Sequence, residues 1–172
     1  MAIESPSMKS AAAVEPDSET RATDDDHQSL RLWLRLLACT NLIENRVRQQ
    51  LQAKFDTTLP RFDLMAQLER APDGLKMGEL SRRMMVTGGN VTGITDLLEQ
   101  EGQVVRVADP GDRRAFRVKL TKEGRKQFKR MAAEHERWII ELFDGLSPKH
   151  KEQLAELLAA LKLHAGRQSV SS

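Results

Sequence analysis

The chain has 172 residues, of which 40% are hydrophobic and 30% charged, with a formal net charge of only +2. That is enough chain for one domain with a buried core, and too balanced a charge for a simple polycation. One cysteine rules out a disulfide framework, and no apolar run approaches the roughly 18 residues that a membrane helix needs, so a cytoplasmic protein with no membrane partner is expected.

Residues 1–26 hold 2 Lys/Arg against 7 Asp/Glu and show no apolar periodicity, which predicts a disordered acidic tail. From Leu30 to Lys54 a long helix is expected, with Leu30, Trp33, Leu34, Leu37, Asn41, Val47 and Leu51 at spacings of three and four. A second helix follows Pro60 through Phe62, Met65 and Leu68. Met77, Leu80 and Met84 mark a short third helix that ends in the basic pair Arg82-Arg83. Thr87 then offers an N-cap side chain for a fourth helix, Gly88 to Glu101, whose apolar stripe is Val91, Ile94 and Leu98. At 100° per residue the face opposite that stripe is Gly89, Thr92, Gly93 and Asp96, with Asn90 on its shoulder.

A β-hairpin comes next. Val105, Val107, Phe116, Val118 and Leu120 alternate with Arg106, Arg117 and Lys119, the pattern of strands with one buried face, and the connection Asp109-Pro110-Gly111-Asp112-Arg113-Arg114 has turn chemistry. Thr121 should cap a helix reaching about Phe143, with Phe128, Met131, His135, Trp138, Ile139 and Leu142 as its stripe. Ser147-Pro148 opens a last helix through Leu154, Leu157, Leu158 and Leu161, and residues 167–172 should be a flexible end.

Two short helices followed by a hairpin with arginines at its tip make a DNA-reading device. Residues 76–130 hold 13 Lys/Arg against 7 Asp/Glu, the local basic surface that phosphate binding requires. A glycine inside a helix costs about 1 kcal/mol relative to Ala, so Gly88, Gly89 and Gly93 call for a reason. Close approach of the helix N-terminus to a phosphate backbone is one, since bare N–H groups and the helix dipole favour an anion there. Asn90 and Thr92 could then reach base edges in the major groove. The plain alternatives are a loose Gly-Gly connection and a solvated charged turn.

The segment ELSRRMMVTGGNVTGITDLLEQEGQVVRVADPGDRRAFRVKLTKEG resembles the winged helix-turn-helix of MarR-type (multiple antibiotic resistance regulator) transcription factors. The specific part is the wing: Asp109, Asp112, Arg113, Arg114 and Ala115, an alternating strand, then Leu120, Thr121 and Gly124. The resemblance implies a mainly α fold with a small β-hairpin wing: a winged helix-turn-helix at about 60–124 within a 27–166 domain, flanked by dimerisation helices at about 27–54 and 121–166. It puts a minor-groove arginine at Arg114, phosphate contacts at Arg113 and Lys119 beside those expected of Arg82 and Arg83, and an arginine-orienting acid at Asp112. The groove-facing start of the recognition helix, from Thr87 and Gly88 to Thr95, would contain Gly89, Asn90 and Thr92. At Gly93 the chain departs from the family, where a larger residue is common. Homodimerisation on a pseudo-palindromic double-stranded operator follows, and the apolar surface of the terminal helices fits self-association, an intramolecular helical core being the alternative.

No catalytic triad, P-loop or dinucleotide fingerprint appears, and His27, His135, His150 and His164 are scattered, so neither an enzyme nor a cofactor or metal site is expected. Cys39 lies in the run Leu36-Leu37-Ala38-Cys39, where packing is expected in preference to redox sensing. In MarR proteins an effector cavity lies between the dimer helices and the winged helix; its candidates here are Trp33, Leu37, Asn41, Phe62, Met65, Met131, His135 and Trp138, a set suited to a small aromatic ligand. The stretch RFDLMAQLERAPDGLKMGELSRRMMVTGGNVTGITD resembles regulators that respond to hydroxycinnamoyl-CoA thioesters, whose phosphates would call on Arg31, Arg35, Arg46 or Arg48. The reading is a ligand-released repressor; a dimeric helical adaptor for another protein is the alternative, and it has no use for arginines at a hairpin tip.

Overall fold

The computed structural model describes residues 27–168, apart from the side chains of Arg113 and Gln168; the tail expected over residues 1–26 and the last four residues lie outside them. In chain order the elements are α1 (Gln28–Phe55), α2 (Leu59–Glu69), β1 (Leu75–Lys76), α3 (Met77–Met84), α4 (Gly88–Gln100), β2 (Val104–Asp109), β3 (Asp112–Leu120), α5 (Lys122–Leu142) and α6 (Pro148–Gln168). The chain divides into two compact units, residues 1–42 and 43–172, with the boundary inside α1. No helix among the described residues is long and apolar enough to cross a membrane.

In the larger unit the core gathers Val47 and Leu51 from α1, Phe62, Leu64, Met65 and Leu68 from α2, Leu80 from α3, Val91 and Leu98 from α4, the sheet residues Leu75, Val104, Val118 and Leu120, and Phe128, Met131 and Trp138 from α5. The helical members lie on apolar stripes, because a helix on the surface of a domain buries one face and leaves the other to solvent. Three helix starts follow their sequence signals. Pro60 lies in the first turn of α2, and the Thr121 hydroxyl accepts the Gly124 N–H at 3.0 Å at the head of α5. Ser147 does the same for α6, accepting from the His150 N–H at 3.3 Å.

The sheet differs from the expected hairpin in two ways. It has three strands in the order β1-β3-β2, all antiparallel, with Leu75 opposite Val118 and Lys76 opposite Arg117. A two-residue strand is too short to show periodicity. The strand β2 also starts at Val104, which pairs with Leu120, so Arg106 lies opposite Val118 on the core-side face while Val105 pairs with Lys119 and Val107 with Arg117 on the other. Val105 is 40% exposed where a buried residue was expected. A strand's phase shifts every side chain to the opposite face when its start moves by one residue.

Gly124 pins α5 to the α4–β2 turn. A Cβ there would lie 1.8 Å from the Gln103 carbonyl oxygen, which also accepts the Thr121 N–H at 3.0 Å. Gly124→Ala is therefore expected to destabilise the fold by about 1–3 kcal/mol, lowering the melting temperature by several degrees. A thermal melt unchanged from wild type would contradict this packing.

Candidate nucleic-acid interface

The helix expected to read DNA is α4. Before it, α3 ends with Met85 in the left-handed region (φ 54), and Ser81 closes the turn by donating its hydroxyl to the Val86 carbonyl at 2.6 Å. Thr87 holds the extended N-cap backbone, but its side chain makes no cap hydrogen bond, so the expected side-chain cap is absent. Gly88, Gly89, Asn90, Thr92 and Gly93 are all exposed. A Cβ added at Gly88, Gly89 or Gly93 would meet nothing within 4 Å. No internal packing demands these glycines, so their helix cost is unexplained by the fold alone. Thr92 donates its hydroxyl to the Gly88 carbonyl at 3.0 Å, which leaves its oxygen lone pairs and its methyl facing outward.

Thr95 corrects the expected groove face. It is fully buried, and its hydroxyl donates to the Val91 carbonyl at 2.7 Å. Four residues after Val91, it falls on the core side of α4 with Val91 and Leu98. The spacing from Val91 was the signal that could have placed it.

The other cations approach the same region from different elements. Arg82 and Arg83 are exposed at the end of α3, with Arg83 in loose contact with Glu79 at 3.9 Å. In the wing Arg114 is exposed, and Lys119 is half-buried on the outer face of β3. Arg113 lies on β3, its side chain outside those described. Among the described side chains no guanidinium meets Asp112, whose carboxylate accepts the Arg114 backbone N–H at 3.0 Å.

Asp109 does orient a hairpin arginine, Arg117. It is only 5% exposed and accepts from Arg117 Nε at 2.5 Å and from the Gly111 N–H at 2.9 Å, with Lys76 Nζ at 3.6 Å. The hydrogen bond from Arg117 holds its carboxyl below the usual carboxylate range, reinforced by the Gly111 N–H and the charge of Lys76. Arg117 also donates to the Gly74 carbonyl at 3.1 Å, so the wing is tied down to β1. Arg106 makes a second tie that sequence reasoning missed. Its backbone N–H donates to Glu99 at 3.0 Å and its guanidinium bridges Glu99 and Asp96. Asp96, on the exposed side of α4, is neutralised by this pair, and the wing root is fixed to the recognition helix.

The effector candidates divide between the two units. Trp33, Leu37 and Asn41 are exposed on α1, in the 1–42 unit. In the larger unit Phe62 and His135 lie with ring centroids 4.9 Å apart, and His135 and Trp138 6.5 Å apart. Burial pushes the His135 pKa below the ordinary histidine value. Trp138 is 3% exposed and its indole N–H has no hydrogen-bond partner among the described residues. Lys54, paired with Glu134 at 2.7 Å, stands 5.5 Å from the Trp138 ring. Met65 and Met131 are sealed in the core at 0% and 1% exposure. Of the arginines considered for phosphates, Arg48 is engaged by Glu44 at 2.7 Å. Cys39 is exposed in the protomer, which corrects the expected packing role.

Comparison with known proteins agrees with this geometry. The MarR family profile matches residues 55–115. A MarR family transcriptional regulator from Silicibacter pomeroyi is similar in structure, with a TM-score of 0.69 and 35% identity, the match covering 86% of this chain and 99% of that one. Sco3205 of Streptomyces coelicolor, a MarR family regulator solved in complex with DNA, has a TM-score of 0.70 at 24% identity over 82% of this chain and 89% of its own. The uncharacterized HTH-type transcriptional regulator YkoM of Bacillus subtilis (strain 168) is 34% identical over 90 residues, 52% of this chain and 58% of its own length.

Proposed function

This chain belongs to the MarR family of winged-helix transcriptional regulators, and from that premise we infer that it is a homodimeric repressor, acting in the cytoplasm, that a small aromatic ligand releases from a pseudo-palindromic operator. The observation that carries the DNA half of the reading is the bare N-terminal face of α4: three exposed glycines with open space where their side chains would be, flanked by Asn90 and Thr92. Such a face lets backbone N–H groups reach phosphates while short side chains meet base edges. Arg114 then supplies a minor-groove contact from the wing, with Arg82, Arg83, Arg113 and Lys119 on phosphates.

The dimer is supported by α6, where Leu154, Leu157, Leu158 and Leu161 are all at least 36% exposed. A two-fold dimer would set half-sites about one helical turn, ~34 Å, apart. The effector half rests on the aromatic group around Trp138, whose unpartnered indole N–H is a donor awaiting an acceptor. A hydroxycinnamoyl-CoA thioester is the ligand class we favour.

Selection of bound duplexes from a random pool, followed by gel shift, tests the DNA reading. Arg114→Ala should weaken the selected operator by about 1–3 kcal/mol with dimerisation intact, and Lys119→Ala should chiefly lower the salt slope. An operator affinity unchanged in Arg114→Ala at physiological salt would remove the wing from the interface.

A further inference from the structure

One strongly charged surface, counted in the basic segment 76–130, holds none of the residues assigned to DNA above. On α5, Lys122, Arg125, Lys126, Lys129 and Arg130 recur at intervals of three and four, which puts all five on one helical face. With Leu120 and Thr121 they line an open groove of about 550 Å³, within the size range of small-ligand sites. Arg125 is engaged by Glu69 at 2.5 Å. The other four have no carboxylate within ion-pairing distance among the described residues; nearby Glu134 is taken by Lys54 and Arg137.

This arrangement costs helix stability. Lys122 with Lys126, Arg125 with Lys129, and Lys126 with Arg130 are like-charged neighbours one turn apart, and the first turn lies at the positive end of the helix dipole. Elsewhere the chain interleaves opposite charges, as in Arg48 with Glu44 and Arg137 with Glu134 and Glu141. Four uncompensated cations along about 12 Å of helix suit an anion carrying several phosphates. Operator DNA fits less well, because β3 carries the chain about 20 Å from Arg114 at the wing tip to Leu120 beside the groove. Arg130 also lines the adjoining cavity of about 540 Å³ with Lys54, Phe55, Ala133 and Glu134, and Lys54 is the cation over Trp138. The cationic face therefore leads to the aromatic group.

We propose that this face of α5 holds the phosphates of a small polyphosphorylated ligand whose other end extends toward Phe55 and Trp138. The proposal rests on the effector reading above and moves the phosphate contacts from α1 to α5.

Inorganic tripolyphosphate titrated calorimetrically into the full-length protein is the test. Wild type should bind it with an affinity that falls as salt rises. A Lys126→Gln/Lys129→Gln/Arg130→Gln variant should bind at least tenfold more weakly, with operator affinity unchanged and a melt no lower than wild type, since it removes exposed like charges. Arg82→Gln/Arg83→Gln on α3 should bind the probe as wild type does. No binding by wild type, equal binding by the triple variant, or a triple variant that loses operator affinity overturns the proposal, the last outcome making the face a nucleic-acid contact. A wild-type protein that binds tripolyphosphate as described but retains no duplex would leave this site standing and remove the DNA reading.

Discussion

A Gly89→Leu variant is expected to lose operator DNA by a hundredfold or more while melting no earlier than the wild type. The two effects separate because the position is open inside and closed outside. Within the protomer a Cβ at residue 89 meets nothing within 4 Å, and exchanging glycine for leucine improves helix propensity by several tenths of a kcal/mol. Against DNA, in the interface proposed above, the same side chain would enter a packed contact, where overpacking costs about 1–3 kcal/mol. A dimer meets that cost at both half-sites, and a hundredfold loss needs only about 2.7 kcal/mol in total. Circular-dichroism melting beside a gel shift measures both. A variant that melts earlier, with binding lost only in proportion, would make Gly89 a structural glycine.

The second large effect is release by ligand. A molecule that dissociates the complex must bind the DNA-free conformation more tightly than the DNA-bound one, by about 1.4 kcal/mol for each tenfold loss of operator affinity. The aromatic group of Phe62, His135 and Trp138 can supply such a difference if its packing changes between the two states. p-Coumaroyl-CoA or feruloyl-CoA is expected to dissociate the complex at micromolar concentration, and the parent acids and free CoA are expected not to, because neither half reaches both the aromatic group and the cations. Titration into a gel shift decides it. Release by a free acid would refute the thioester while keeping the aromatic site, and no release by any aromatic would remove both.

Much of this protein was legible without coordinates because its signals are local. Helical spacing placed α1, α2, α3, α4 and α5 to within a residue or two at each end, since a stripe of apolar side chains recurs only if the backbone is helical. Thr121 capped α5 for the same kind of reason, a side-chain oxygen within reach of an N–H three residues on. The Pro110-Gly111 turn announced the hairpin, although Arg113 and Arg114, read as part of the connection, lie on β3.

What required the tertiary structure was every pairing between segments distant in sequence. Thr95 went to the core because α4 is covered on two sides, a fact that its hydroxyl, bonded to its own helix, conceals from any polarity count. The phase of β2 was set by its register against β3, so Arg106 faced α4 and found Asp96 and Glu99 there. Asp109 could be recognised as the acid that holds the wing only once β3 brought Arg117 and β1 brought Lys76 to it. Local sequence determined which helices and which hairpin form, because propensity and periodicity act within one or two turns of chain. Their placement was decided by the tertiary structure, because the hydrogen bonds that hold the hairpin to α4 and to the residue before β1 join groups 7 to 43 positions apart.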